Sequence, residues 1–317
     1  MSTGNDGRTT THRLVADSAD EYSVALPGID LDVVRTGVGF GPNVAHATVA
    51  DDVMLASGVT GFPVLGRTTV ADDRVIVALL TSTPPGSRWC EIDMEPGTML
   101  LYGPGAEHTA VSPAGLAYIA LSVSLDRLAA TADGAQLVVT MPHRGYVDII
   151  QPTNQSVRLA RLLGTAPDPF TEAVAAPLLA QGGEDTVLAL ANALSDHSLG
   201  RAAGDRAGAI NSRRITADCI EYAEASHQLP SIAQLCGAVH VSERRLRNAF
   251  VDTFGMPPST YFRHRALNKV RRQLSTEPGS AAVGVIALDA GFGNLGRFSS
   301  EYRRLFGELP SQTLRKA

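Results

Sequence analysis

The stretch Ser231–Phe250, SIAQLCGAVHVSERRLRNAF, decides the fold of the last third of the chain. It reads as a helix, a tight turn and a second helix. Leu235, Val241, Leu246 and Phe250 occupy the apolar peg positions of a helix-turn-helix. Leu246 and Phe250 are four residues apart and share one helix face, which leaves the opposite face open. On that open side stand Glu243, Arg244, Arg247 and Asn248. Such side chains reach base edges and phosphates when a helix lies in a major groove. Ser242 is a good N-cap, so the second helix starts cleanly after the turn.

A second copy follows at residues 286–306, IALDAGFGNLGRFSSEYRRLF. Leu246, Phe250, Phe254, Gly255 and Pro258 correspond to Phe298, Tyr302, Phe306, Gly307 and Pro310, each 52 positions on. Ahead of the turns the offset is 51, so the second turn is one residue longer, with Asn294 as its N-cap. Between the copies, Tyr261–Leu274 (YFRHRALNKVRRQL) has helical spacing and is long enough to join two small helical subdomains.

This pattern, with FGMPPSTYF after the first copy and GF…F…Y…LFGELPS in the second, resembles the AraC/XylS family of bacterial transcription regulators over residues 212–315. The resemblance implies an all-α DNA-binding domain with two helix-turn-helix motifs. Carried over residue by residue, it implies groove contacts from Arg244, Arg247 and Asn248 in the first copy. From the second it implies Leu295, Gly296, Arg297 and Ser300. Arg271, Arg272, Arg303 and Arg304 recur late in the connecting helix and the second recognition helix, where phosphate contacts are expected. Two positions depart from the pattern. His240 stands where the family places Gly, at a turn whose left-handed backbone His tolerates better than most residues. Thr313 stands where an aromatic is usual, so a looser C-terminal end is expected.

Charge divides the chain at the same place. Residues 1–204 hold 11 basic and 22 acidic side chains, a net −11, whereas residues 205–317 hold 16 and 10, a net +6. A basic C-terminal part suits a polyanion, which an acidic N-terminal part would repel. With 317 residues there is length for two sizeable cores. The expected division is a mobile polar tail at 1–20, a sensing and dimerisation domain at 21–197, a Gly-rich linker at 198–211 and the DNA-binding domain at 212–317.

From Ile29 to Ser124 short runs rich in Val, Leu, Ile and Thr recur between Gly, Pro and Asp turns, as in DVMLASGVT, FPVLGRTTV and RVIVALLTS. That pattern predicts a β-sandwich or small barrel. Within it, EPGTMLLYGPGAEHTAV resembles the turn-strand-turn segment of cupin-like sensor domains, which implies a cavity for a small effector near Trp89, Tyr102 and His108. The fold class expected is therefore α+β, a cupin-like sandwich or barrel with packed helices followed by the helical domain. The helices are sought at Leu125–Thr131, in TNQSVRLARLLGT, and in DTVLALANALSDHS, where Val187, Leu188, Leu190, Ala191 and Leu194 form one apolar face.

A metal-dependent cupin enzyme would need two closely spaced His, a Glu and a later His. Here His108 supplies only the last and His46 stands alone, so neither a metal nor any other cofactor is expected. Cys90, Cys219 and Cys236 lack metal-like spacing and suggest a reducing cytoplasm, and Cys219 and Cys236 fall at apolar helix positions that fit core packing. No signal peptide or membrane-length apolar run is present, so no membrane contact is expected. The resemblance further implies a homodimer and contact with RNA polymerase. The competing readings are an enzyme fused to a DNA-targeting module, and a regulator whose N-terminal domain docks a partner protein.

Overall fold

The computed structural model describes residues 10–22, 28–50, 52–90, 92–140, 144–154, 156–158, 184–185, 187–192, 194–195, 201–202, 207–226, 229–276 and 283–316. The strands are β1 (Thr10–Ala16), β2 (Ile29–Arg35), β3 (Asn43–Ala50), β4 (Val53–Val59), β5 (Val64–Val70), β6 (Arg74–Ser82), β7 (Arg88–Trp89), β8 (Ile92–Asp93), β9 (Met99–Tyr102), β10 (Glu107–Ser112), β11 (Ala117–Ser124), β12 (Val147–Ile150) and β13 (Arg201–Ala202). They form two antiparallel sheets, β1-β3-β4-β11-β6-β9-β12-β13 and β2-β5-β10-β7-β8. The apolar run of β6 and β11 fits their place at the centre of the larger sheet, where both faces are covered. Proline-containing turns set the strand spacing, placing Gly86, Gly97, Gly105 and Gly115 at positive φ, where a Cβ would be strained.

The two sheets face each other across a core that includes Met54, Ile76, Leu80, Leu100, Trp89 and Tyr102. The other face of the larger sheet, through Val53, Leu55, Val75, Leu101 and Val123, packs on helix α2 (Leu125–Gly134) and on Val187, Leu190, Ala191 and Leu194. The apolar face read from DTVLALANALSDHS is thus spent within its own domain. Ser124 caps α2 by accepting from the Arg127 amide at 3.2 Å. The segment TNQSVRLARLLGT lies largely outside the described residues.

Two expected boundaries need correction. The polar start is not all tail: Thr10–Ala16 pairs with β3 along its whole length, from Thr10↔Val49 to Ala16↔Asn43, and a short helix α1 follows at Ala19–Tyr22. Polarity misled because β1 is an edge strand with exposed side chains, whose backbone bonds rather than burial hold it. The expected linker is also shorter. Arg201–Ala202 pairs with β12, and helix α3 begins at Ala207 and runs to Ala225. Small residues suggest flexibility, but from Ala207 on they continue a helix.

The helical part continues with α4 (Ile232–Val239), α5 (Glu243–Phe254), α6 (Pro258–Thr276), α7 (Val283–Asp289), α8 (Leu295–Phe306) and α9 (Pro310–Lys316). Helices α3 to α5 and the start of α6 enclose one core around Leu235, Leu246, Phe250 and Tyr261. A second core holds Leu267, Val270, Phe298, Tyr302 and Phe306. Helix α6 contributes to both. The expected loosening at Thr313 does not occur: its hydroxyl is 2.8 Å from the Tyr302 hydroxyl and donates to Glu308 Oε1 at 2.9 Å. A buried polar pair takes the place of the aromatic contact.

The smaller sheet is a partition. On β2, Ile29, Leu31 and Val33 face the space between the sheets, while Val34 packs with Leu65, Val111 and the first helical core. The register rows Val33–Gly66–Ala110 and Val34–Leu65–Val111 follow from the period of two along each strand. One sheet therefore separates the interior of the sandwich from the helix-turn-helix domain.

Candidate nucleic-acid interface and ligand cavity

The first motif is built from its caps. Ser231 and Gln234 form a capping box at the start of α4, and His240 ends that helix with φ 52° and ψ 43°, the left-handed turn expected of it. Ser242 then accepts from the Arg245 amide at 3.3 Å. Leu246 and Phe250 are fully buried, with the Phe250 ring against Phe254, Tyr261 and Phe262. Burial of that face fixes the roll of α5, and Glu243, Arg244, Arg247 and Asn248 are exposed on the other side. Arg244, Arg247 and Asn248 recur at i, i+3 and i+4, so they share one surface. Arg245 is also exposed in the first turn, and the sequence reading missed it although its position 52 before Arg297 marks it.

The second motif repeats this construction. Asn294 Oδ1 accepts from the Arg297 amide at 2.9 Å, and α8 ends at Gly307 in the left-handed region as α5 ends at Gly255. Phe298 and Tyr302 are buried, while Leu295, Gly296, Arg297, Ser300 and Arg304 are exposed. Two of these are less available than their exposure implies. The Ser300 hydroxyl donates to the Gly296 carbonyl at 3.0 Å, and Arg297 Nε donates to Glu301 Oε1 at 2.9 Å. Glu301 also receives Arg263 from α6. Burial raises the Glu301 carboxyl, but its hydrogen bonds from Arg263 and Arg297 more than offset this and hold it below the usual range.

Among the other arginines read as phosphate contacts, Arg303 is exposed, and so is Arg272. Arg271 is not such a contact. It donates to Glu308 Oε1 at 2.7 Å, and its guanidinium lies 4.8 Å from the Phe306 ring centroid, so it is part of the fold. Arg304 stands beside His264, whose imidazole is held below its ordinary pKa by burial first and by that guanidinium second.

The sandwich touches both motifs. Arg88 Nη2 donates to the Asp252 carbonyl of α5 at 3.1 Å. Arg265 of α6 bridges Asp32 of β2 at 2.9 Å and Glu224 of α3 at 2.8 Å. Arg35 places its guanidinium 4.2 Å from the Phe62 ring and 5.7 Å from Phe306 of α8. Burial and the nearby Arg271 lower its pKa to about 10, which leaves it charged at neutral pH.

Trp89, Tyr102 and His108 meet in the interior. Trp89 Nε1 donates to the Tyr102 hydroxyl at 2.8 Å, and the His108 ring lies 4.8 Å from Tyr102 and stacks 6.0 Å from Trp89. All three border a cavity of about 120 Å³ between the sheets. Tyr22 and Tyr118 border it too and were not singled out from sequence; Tyr22 arrives from α1, in the region expected to be tail. His108 stands on β10. Burial lowers its pKa to about 3, and its Nδ1 has no hydrogen-bond partner among the described residues. Among the described residues no charged side chain borders this cavity.

The cavity does not fit a metal. His108 is surrounded by aromatic and aliphatic groups, His46 lies on β3, and no three His, Cys, Asp or Glu converge among the described residues. Nor is any described helix long and apolar enough to cross a membrane.

Comparison with known proteins agrees with the helical geometry. The family model described as a helix-turn-helix domain matches residues 235–316. The XylDLEGF operon transcriptional activator of Pseudomonas putida is 41% identical over 87 residues, 27% of this chain and 27% of that protein. The probable thc operon regulatory protein of Rhodococcus erythropolis is 37% identical over 98 residues, 30% of each chain. The chain thus spans under a third of the length of these relatives. Among solved structures, a probable AraC family transcriptional regulator from Rhodopseudomonas palustris is 33% identical, covering 33% of this chain and 97% of that one with a TM-score of 0.31. Residues 235–316 belong to the helix-turn-helix domains of AraC/XylS-type regulators.

Proposed function

We propose that this chain is a sequence-specific transcription regulator that binds double-stranded DNA through α5 and α8 and a small uncharged effector in the cavity of the sandwich. The observation that carries the DNA reading is the repetition of one unit. In both copies a capped helix buries aromatic pegs on one face and exposes arginines on the other. Contacts from Arg244, Arg247 and Asn248 in α5, and from Leu295, Arg297 and Arg304 in α8, follow from that exposure. Gly296 lets the backbone approach the DNA, and Ser300 acts through its remaining lone pairs.

The likeness of an 87-residue stretch to an operon activator supports activation as the output, with RNA polymerase contact and a homodimer as parts of the same reading. The division into a sensing and dimerisation domain through residue 202 and a DNA-binding domain from Ala207 is likewise a proposal. The effector reading rests on the cavity lining. A site with no cation among the described residues, and with a neutral imidazole and phenols, disfavours a carboxylate and suits a neutral molecule. A volume of about 120 Å³ is on the scale that holds a single benzene-sized ring.

The test is selection from randomised double-stranded DNA with the whole chain at low salt. Enrichment of one motif is expected; recovery of unrelated sequences alone would remove the DNA reading. A thermal-shift series of neutral and anionic small aromatics tests the effector reading, which fails if only the anions stabilise the protein.

A further inference from the structure

The two recognition helices differ in how they hold their arginines. Arg297 is 69% exposed, yet its Nε is fixed by Glu301, one helical turn along and only 9% exposed at the side chain. Glu301 is itself held from the other side by Arg263 of α6. Arg263 lies 5.3 Å from the Phe292 ring centroid, and Phe292 packs against Phe298 of α8. The chain of contacts Phe292–Arg263–Glu301–Arg297 therefore runs from the core of the second motif to its surface. In α5 the equivalent positions, 52 residues earlier, are Arg245 and Ala249. Ala249 has no carboxylate, and among the described residues no ion pair holds Arg244, Arg245 or Arg247.

We propose that Glu301 is a positioning residue for base recognition, clamping Arg297 so that its Nη1–Nη2 end reads one guanine in the major groove. A guanidinium has five N–H groups in a fixed fork. With Nε–H committed to Glu301, the edge containing Nε is closed to a base. The far end keeps two parallel N–H groups, the pair that matches guanine O6 and N7. Fixing the side chain before binding also removes part of the rotamer entropy that a free arginine loses on contact. Because Arg297 is largely exposed and Glu301 is already paired with Arg263, the Arg297–Glu301 link adds little to folding, and orientation is its main consequence. The inference rests on the proposed DNA-binding function.

The experiment is motif selection on randomised duplexes with the whole chain, comparing wild type with Glu301→Gln and Arg297→Lys. Arg297→Lys keeps the charge at an exposed position and marks which base lies under this side chain. Wild type should select guanine there, and both variants should lose that preference by about tenfold while the rest of the motif is retained. Replacing that guanine by 7-deazaguanine, which lacks the N7 acceptor, should weaken wild type by about tenfold and Glu301→Gln much less. A residue that only held α6 to α8 would not change the response to one base atom. An unchanged motif in Glu301→Gln, or a loss spread over every position, would overturn the proposal. So would a wild-type motif with no guanine at the position Arg297→Lys alters, with the DNA-binding reading left standing. A wild type that enriches no motif would remove that reading itself. Should Glu301→Gln fail to fold, as judged by circular dichroism, the 7-deazaguanine response of wild type against Arg297→Lys decides: equal sensitivity overturns the proposal.

Discussion

Asn268 and Arg35 are hydrogen-bonded in both directions, side chain to backbone: the Arg35 amide donates to Asn268 Oδ1 at 3.2 Å and Asn268 Nδ2 donates to the Arg35 carbonyl at 3.0 Å. β2 is an edge strand, so its outer backbone groups need partners from elsewhere. Asn268 supplies them from α6, the helix that serves both helical cores. The strand so held also presents Val33 to the cavity and Val34 to the first helical core. An effector that displaces β2 therefore has a short mechanical route to the spacing of the recognition helices. By linkage, DNA would then alter effector affinity by the factor with which effector alters DNA affinity.

Asn268→Ala removes both partners of a buried backbone segment. The Arg35 amide and carbonyl are then left unsatisfied, which costs on the order of 2–4 kcal/mol. Denaturant titration of the whole chain should show a loss of that size. An unchanged midpoint and slope would mean that water replaces the asparagine and that the contact does not couple the two parts.

His108 makes a prediction about pH. Its folded-state pKa of about 3 lies below the ordinary 6.5 of the unfolded chain. As pH falls the unfolded state therefore takes up the proton first. Stability from this group is full at neutral pH and is lost progressively from about pH 6.5 down to about 3. Between pH 7 and pH 5 the loss is about 2 kcal/mol. His264 acts in the same direction, so the comparison must be with a variant. His108→Phe should show a flatter profile between pH 7 and pH 5, and should abolish the response to any neutral effector that bonds Nδ1. Parallel profiles for the two proteins would show that the imidazole titrates normally.

Thr313→Val tests the polar pair that replaces the aromatic near the C-terminus. The shapes match, but Tyr302, which is fully buried, loses its hydroxyl partner. A cost of about 1–3 kcal/mol is expected, read from thermal unfolding. A more stable variant would show that the pair is tolerated rather than stabilising.

The sequence carried the helical part almost completely because its signals are local. Ser242, His240 and Asn294 act within one turn of where they stand, and Leu246, Phe250, Phe298 and Tyr302 mark their faces by spacing alone. Trp89, Tyr102 and His108 were brought together as expected, but Tyr22 joins them from α1 far along the chain. β1 was hidden because edge pairing leaves no apolar alternation to read. Asn268 and Arg35 are 233 residues apart, and no periodicity links them. Arg297 and Glu301 are legible in the sequence as an i, i+4 pair, but spacing alone does not show that Glu301 is buried and shared with Arg263.

Sequence choice should be distributed unequally between the two helices. α5 presents Arg244, Arg247 and Asn248 on one surface, three side chains with the hydrogen-bonding chemistry to read base edges. α8 places Leu295 and Gly296 among its groove positions, neither able to make a bidentate bond, although Leu295 can touch a thymine methyl. Its Ser300 hydroxyl is already donated to the helix backbone, which concentrates polar reading on Arg297. Selected motifs should therefore show several informative positions under α5 and one dominant position under α8. Arg247→Ala should relax particular bases under α5, costing about 1–3 kcal/mol of discrimination there. Arg304→Ala should weaken all sequences alike and lower the slope of log affinity against log salt by about 1. Half-site selection together with salt titrations of both variants measures each effect. Equal information under the two helices would show that neither dominates, and a broader motif under α8 would show that specificity lies mainly with the second helix.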